Sequence, residues 1–397
     1  MTRILGSMTT PMAPGRAAAT ATLITLFVAV TGCAGPDVTP APTTRPTDAP
    51  SPPASPTAPP PATAIASPSI APDTGTVTLV GEPRDVVTGL SAPWSIAFIG
   101  ETALISERET GVIWELVDDG SLREVARIQD LAPTGEGGLL GLAIGADERL
   151  YAYSSGPNGN RVQRFELTGA AGSYGLGAAD TILDGLPYAG FHNGGRIAFG
   201  PDGMLYVCVG DATDGASAQD LDVLSGKILR MTPDGGVPAD NPFPGSLVFS
   251  LGHRNVQGID WAADGTMFAS EFGQDTWDEL NVIVPGGNYG WPTIEGTAGE
   301  AGFIDPVQQW TPGEASPSGL TVIDGTVFIA NLRGQVLRTV QVADPSAATD
   351  LYGGEYGRLR DVTLAPDGSL WILTSNTDGR GNPADVDDRI LSVDVSR

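Results

Sequence analysis

The sequence predicts an all-β chain, a six-bladed β-propeller over residues 77–397, preceded by a signal peptide and a disordered Pro/Thr/Ala-rich linker. Three observations carry this reading. A short hairpin pattern returns six times between residues 97 and 371. Residues 34–76 consist mainly of Pro, Thr, Ala and Ser, with almost no large apolar side chains. The N-terminus combines basic residues, an apolar run and small residues ahead of a cysteine.

The N-terminal segment comes first. Arg3 and Arg16 precede an apolar run from residue 17 to 30, which ends in Val30-Thr31-Gly32-Cys33. A basic start, an apolar stretch and small residues before a cleavage point describe a secretory signal over residues 1–32. Cysteine directly after Val-Thr-Gly resembles a bacterial lipobox, which implies lipid attachment at Cys33. The alternatives are an ordinary signal peptide with a chance cysteine, or a short membrane helix. The apolar run is short for spanning a bilayer. Residues 33–76 cannot bury enough surface to offset chain entropy and are expected to be disordered. Their prolines favour an extended spacer. The localisation expected is a lipid-anchored protein on the extracytoplasmic face, touching the membrane only through its anchor.

The body has the length of one large domain. The formal net charge is −26 and Lys227 is the only lysine. That excess of negative charge excludes nucleic acid and anionic lipid surfaces as partners. Cys208 lies in the apolar run Leu205-Tyr206-Val207-Cys208-Val209 and reads as a buried structural thiol.

The repeat occupies residues 97–105, 143–151, 198–206, 261–268, 321–328 and 364–371. Each copy is an apolar stretch, a turn and a second apolar stretch. Asp-Gly between apolar runs is a hairpin signal, because glycine tolerates the backbone angles of the turn. A further strand follows each copy, at 111–117, 161–167, 226–231, 278–284, 334–340 and 388–395. Six multi-strand repeats describe six propeller blades. The strand near residues 77–80 is expected to complete the last blade and close the ring.

Function is then sought in the loops between repeated strands. Residues 190–196 hold His192 among glycines, and histidine takes protons near neutral pH. Residues 250–258 hold His253, Arg254 and Asn255. Residues 271–279 and 286–292 combine acids with irregular backbone, which suits a hard cation such as calcium. Arg358 and Arg360 share one face of an extended strand, and Arg333 lies one blade earlier. Paired arginines suggest a polyanionic ligand. Each loop alone also reads as a surface turn or a structural network between blades.

The order of these motifs, with residues 135–141, 192–211, 252–258, 287–292, 317–319 and 358–361, resembles the glucose/sorbosone dehydrogenase family. These are soluble pyrroloquinoline quinone (PQQ)-dependent aldose sugar dehydrogenases on a six-bladed propeller. The resemblance implies an enzyme oxidising the anomeric carbon of an aldose to a lactone, with electrons passed to an external acceptor. It implies that His192 is the base, and that Glu136, Arg254, Asn255, Trp310, Arg333, Arg358 and Arg360 surround the cofactor. It places the catalytic calcium on the carbonyls of Gly273 and Gln274, and a second calcium at Glu279 and Tyr289. His253 reads as a support for Arg254 and Asn255. The chain departs from the family pattern in three places: Gln274 stands for an expected proline, Phe272 for a polar residue and Arg333 for a lysine. Segment 296–310 is short, which suggests an open pocket. The competing readings are a non-enzymatic cell-surface propeller that binds sugar or protein, and a calcium-dependent lactonase on the same fold.

Overall fold

The computed structural model describes Gly75 and residues 77–397. The expected signal peptide, the lipidation site Cys33 and the expected linker apart from Gly75 lie outside the described residues. Six four-stranded antiparallel sheets form the body. Every predicted hairpin joins the first and second strands of a blade, as between Pro93–Ile99 and Thr102–Glu107 in blade 1. Asp-containing turns close several of them. The Asp202, Asp264 and Asp367 carboxylates each accept the backbone N–H two residues on, at 2.8–3.0 Å. This local bond preorganises the turn.

Blades 1 to 5 are consecutive in the chain. Blade 3, for example, runs Ile197–Phe199, Leu205–Val209, Lys227–Met231 and Val248–Leu251. Blade 6 joins Leu359–Leu364, Leu370–Thr374 and Arg389–Ser396 to Thr78–Thr88 from the other end of the chain. Thr78 pairs with Ser396 and Thr88 with Arg389, so the ring closes as expected. The first strands of successive blades pack against one another around the axis. Among the described residues the non-β elements are turns, loops and one 3₁₀ turn at Gly215–Gln219.

The core is six apolar clusters, one in each gap between blades. Strand alternation explains the arrangement. In Leu205–Val209, Leu205, Val207 and Val209 pack toward blade 2, whereas Tyr206 and Cys208 pack toward blade 4. Successive side chains point to opposite faces of a sheet, and here both faces are buried. Each such Leu or Val contributes roughly 1.5–3 kcal/mol on burial. Cys208 is free and fully buried, as its sequence context predicted. Burial pushes its thiol above the usual range, so it is not a nucleophile.

Two kinds of loop meet at one end of the channel. One links the last strand of a blade to the first strand of the next. The other links the second and third strands within a blade. In an antiparallel blade both kinds emerge on the same side, and they carry the chemistry described next.

Candidate active site

His192 lies on the loop entering blade 3, with a left-handed backbone (φ 58°). Non-glycine residues rarely adopt that region, and when they do it often marks a functional position. Gly194 and Gly195 follow with φ 63° and 101°. A side chain on Gly210 would collide with the His192 carbonyl, so the loop packs directly on the blade backbone.

The ring of His192 is fixed at both nitrogens. Nδ1 lies 2.8 Å from the Asp211 carboxylate. Nε2 lies 2.8 Å from Nη2 of Arg254. A guanidinium can only donate, so Nε2 is the acceptor and Nδ1 carries the proton. Asp211 thereby selects the tautomer whose Nε2 can act as a base. Asp211 is itself held by the Thr213 amide and the Trp291 indole N–H, each at 2.8 Å. Glu136 accepts the His192 amide at 3.0 Å and an Arg380 Nη1 proton at 2.9 Å.

His253 is fully buried and plays a different part. Its Nδ1 lies 2.9 Å from the Glu271 carboxylate and its Nε2 2.8 Å from the Ser250 hydroxyl. It stacks on Tyr289 with ring centroids 4.8 Å apart. The same Glu271 accepts the backbone N–H of Arg254. His253 thus supports the carboxylate that orients Arg254, as its neighbours in the sequence suggested. The Asn255 carbonyl oxygen accepts the Gly194 amide at 3.0 Å, while its buried Nδ2 has no partner.

Glu136, which accepts the His192 amide, also lines a cavity of about 190 Å³, together with Trp94, Arg108, Gln257, Phe272, Ser316, Leu332, Arg333, Arg358, Arg360 and Arg380. Five arginines from blades 1, 5 and 6 converge there. Asp378 pairs with Arg358 at 3.2 Å and more distantly with Arg360 at 3.9 Å. Burial tends to raise the Asp378 carboxyl, but the Arg358 and Arg360 charges hold it below its ordinary value. Arg360 donates to Gln257 at 2.8 Å. Burial, reinforced by the positive charge of Arg108, lowers the Arg360 guanidinium to about 9. The buried Nε atoms of Arg108 and Arg360 lack partners. Leaving a buried donor unsatisfied costs about 1–3 kcal/mol. In a chain of net charge −26, this is a pocket built for an anion.

The residues expected to hold calcium lie on the flank of the same end. Four amides, from Gln274 to Trp277, converge on one Glu295 oxygen at 2.6–3.3 Å. Those amides hold the Glu295 carboxyl below its ordinary value despite its partial burial. The carbonyls of Gly273 and Gln274 accept no hydrogen bond among the described residues. Glu279 accepts Gly296 N–H at 2.8 Å and Asn281 at 3.0 Å. Burial, then the charge of Glu271, pushes its carboxyl up to about 8. The Tyr289 hydroxyl is committed to the Val282 carbonyl (2.7 Å) and the Val284 amide (2.9 Å). Only its backbone carbonyl remains for a cation. Among the described residues no group of three or more His, Cys, Asp or Glu side chains is arranged as a metal site. A cation at the Gly273–Gln274 turn would rely on backbone carbonyls.

The structure therefore brings together Glu136, His192, Arg254, Asn255, Arg333, Arg358 and Arg360. It does not bring Trp310. That residue ends the outermost strand of blade 4, Gln308–Trp310, and packs under the Arg338 guanidinium, 4.6 Å from the ring centroid. A fourth strand lies farthest from the channel, so its side chains do not reach the mouth. Asp211, Trp94, Arg108 and Arg380 belong to the site but had not been singled out from the sequence.

Comparison with known proteins agrees with this geometry. The model of the family glucose/sorbosone dehydrogenase matches residues 90–383. The chain is 29% identical over 339 residues to aldose sugar dehydrogenase YliI of Escherichia coli, covering 73% of this chain and 89% of that one. It is 30% identical over 258 residues to quinoprotein glucose dehydrogenase B of Acinetobacter calcoaceticus, covering 55% of this chain and about half (54%) of that protein. The PQQ-bound aldose sugar dehydrogenase of Streptomyces coelicolor superposes with a TM-score of 0.76 at 47% identity, over 82% of this chain and 99% of that one.

Proposed function

The chain belongs to the glucose/sorbosone dehydrogenase family of oxidoreductases, and from that premise we propose that it is a PQQ- and calcium-dependent dehydrogenase oxidising the anomeric carbon of an aldose. The product is the lactone, and the electrons leave to an external acceptor. The observation that carries the reading is His192 in its base-competent tautomer beside a cavity with five arginines.

PQQ is a flat tricarboxylate, and the residues present suit it. Arg333, Arg358 and Arg360 would take its carboxylates as planar forks. The unpartnered Nε of Arg360 and Nδ2 of Asn255 are buried donors awaiting an acceptor. The free carbonyls of Gly273 and Gln274 suit calcium, and the Glu279 carboxylate with the Tyr289 backbone carbonyl would hold a second. When bound, the quinone supplies the hydride acceptor and the calcium polarises it.

This chain's own residues do the rest. His192 Nε2 takes the proton of the anomeric hydroxyl. Asp211 holds Nδ1–H and stabilises the imidazolium that results. Glu136 fixes the loop by accepting the His192 amide, and His253 with Glu271 fixes the Arg254 backbone. We also propose the anchored, extracytoplasmic location, on the strength of the Cys33 context.

The test is reconstitution of the purified body with PQQ and calcium, followed by assay of an aldose panel with a dye acceptor. Saturable quinone binding and turnover are expected. Absence of quinone binding would sink the reading. His192→Ala should abolish turnover and largely spare cofactor binding.

A further inference from the structure

The lone pair that His192 needs is already in use. Nε2 accepts from Arg254 Nη2 at 2.8 Å. A neutral imidazole has one acceptor nitrogen, so a substrate hydroxyl cannot reach it while the guanidinium is there. Two other acceptors keep Arg254 in place. The Phe272 carbonyl takes an Nη1 proton at 3.1 Å, and the Gln274 side-chain oxygen takes Nε–H at 3.2 Å. Phe272 offers main chain, fixed by the blade: its amide donates to the Asn255 carbonyl at 3.1 Å. Gln274 is the only side chain in the set besides His192 itself, and it grips the guanidinium at its pivot. Holding Nε favours the orientation in which the fork rests on Nε2.

We propose that Gln274 is a positioning residue that parks Arg254 on His192, making Arg254 a displaceable stopper on the base. The consequence for turnover rests on the dehydrogenase reading; the parked geometry does not. Phe272 lines the arginine-rich cavity, so a ligand there brings new acceptor atoms close to Arg254. A quinone carbonyl or a carboxylate competes for the Nη protons and draws the guanidinium off the base. His192 then becomes available only when an oxidant-class ligand already fills the cavity. A sugar arriving first finds the base closed, and the order of binding is built into one side chain.

The test uses the cofactor-free protein and needs no activity. Its histidines number two, and His253 is fully buried, so acylation by diethyl pyrocarbonate reports on His192, read by peptide mass. Gln274→Met keeps the length and removes the acceptor. It should speed His192 acylation about three- to tenfold, the share of one neutral hydrogen bond. Gln274→Glu keeps the acceptor and should restore a rate at or below that of the parent. Arg254→Met removes the stopper outright and should give the fastest rate. Equal His192 rates in the parent, Q274M and R254M would overturn the proposal, as would Q274E behaving like Q274M. Slow His253 acylation certifies that each variant is folded. Should the chain turn over no sugar at all, the proposed function fails while the acylation result stands.

Discussion

Replacing Asp211 by Asn tests the tautomer argument most directly. In the parent, Asp211 accepts three protons: from His192 Nδ1 at 2.8 Å, the Thr213 amide at 2.8 Å and the Trp291 indole at 2.8 Å. An asparagine has one oxygen for these donors. If the oxygen stays toward His192 and Thr213, the new NH₂ faces the indole N–H, donor against donor. If it turns to Trp291, the NH₂ donates to Nδ1, the ring proton moves to Nε2, and the base is lost. Either way a charge-assisted hydrogen bond worth about 1.5–3 kcal/mol disappears. At 1.36 kcal/mol per tenfold in rate, kcat should fall about 10- to 150-fold, and further if the tautomer flips. Affinity for the quinone should hold, because Asp211 does not line the cavity. The donor clash should also lower the melting temperature by a few degrees. Adding Trp291→Phe to the Asp211→Asn variant should recover that stability without recovering kcat. The assay is steady-state turnover of the reconstituted protein, with calorimetry alongside. A kcat within twofold of the parent would refute the assignment of His192 Nε2 as base and Asp211 as its orienter.

Three further outcomes follow from the same structure. Arg360→Met should weaken quinone binding about 10- to 100-fold, the share of a charged hydrogen bond, by equilibrium dialysis; unchanged binding would remove Arg360 from the cofactor set. Glu279 has a folded value of about 8 against an ordinary 4.5, so its stabilising share is complete below about 4.5 and is lost as pH rises through about 8. The metal-free protein should therefore lose melting temperature across that window, and Glu279→Gln should flatten the loss; an identical slope in the variant would exclude this carboxyl as the cause. Cys33→Ser in the full chain should move the protein from the membrane fraction to the soluble fraction on cell lysis, and unchanged fractionation would argue against the anchor.

The blades were legible because their signal is local. A turn between two apolar runs, Asp-Gly in four of the six copies, specifies a hairpin from a handful of residues, and six such hairpins specify a ring. The loop motifs were legible where rare residues cluster, as histidine and arginine do in an acidic chain. Asp211 was not, because one more aspartate among 47 acidic residues has no local mark. What distinguishes it is the 2.8 Å approach of His192, which exists only after two loops fold together. Arg380 and Glu136 meet across 244 positions of sequence, so nothing short-range announces their pairing. Trp310 was misplaced for the complementary reason. Its neighbours in sequence show that it is on a strand, but not how far that strand lies from the axis.

The ring closure also bears on the order of events during synthesis. Thr78 must pair with Ser396, so the first strand of the body is made hundreds of residues before its partner exists. At roughly 5–20 residues per second, that strand waits on the order of 15–60 s with its hydrogen-bonding edge open. Blades 1 to 5 can form as they are made, but the last cannot, and the gap between blades 6 and 1 stays unsealed until Arg389–Ser396 has been made. The exposed time of that edge, more than the stability of any one blade, is where a nascent chain of this kind is vulnerable to wrong pairing.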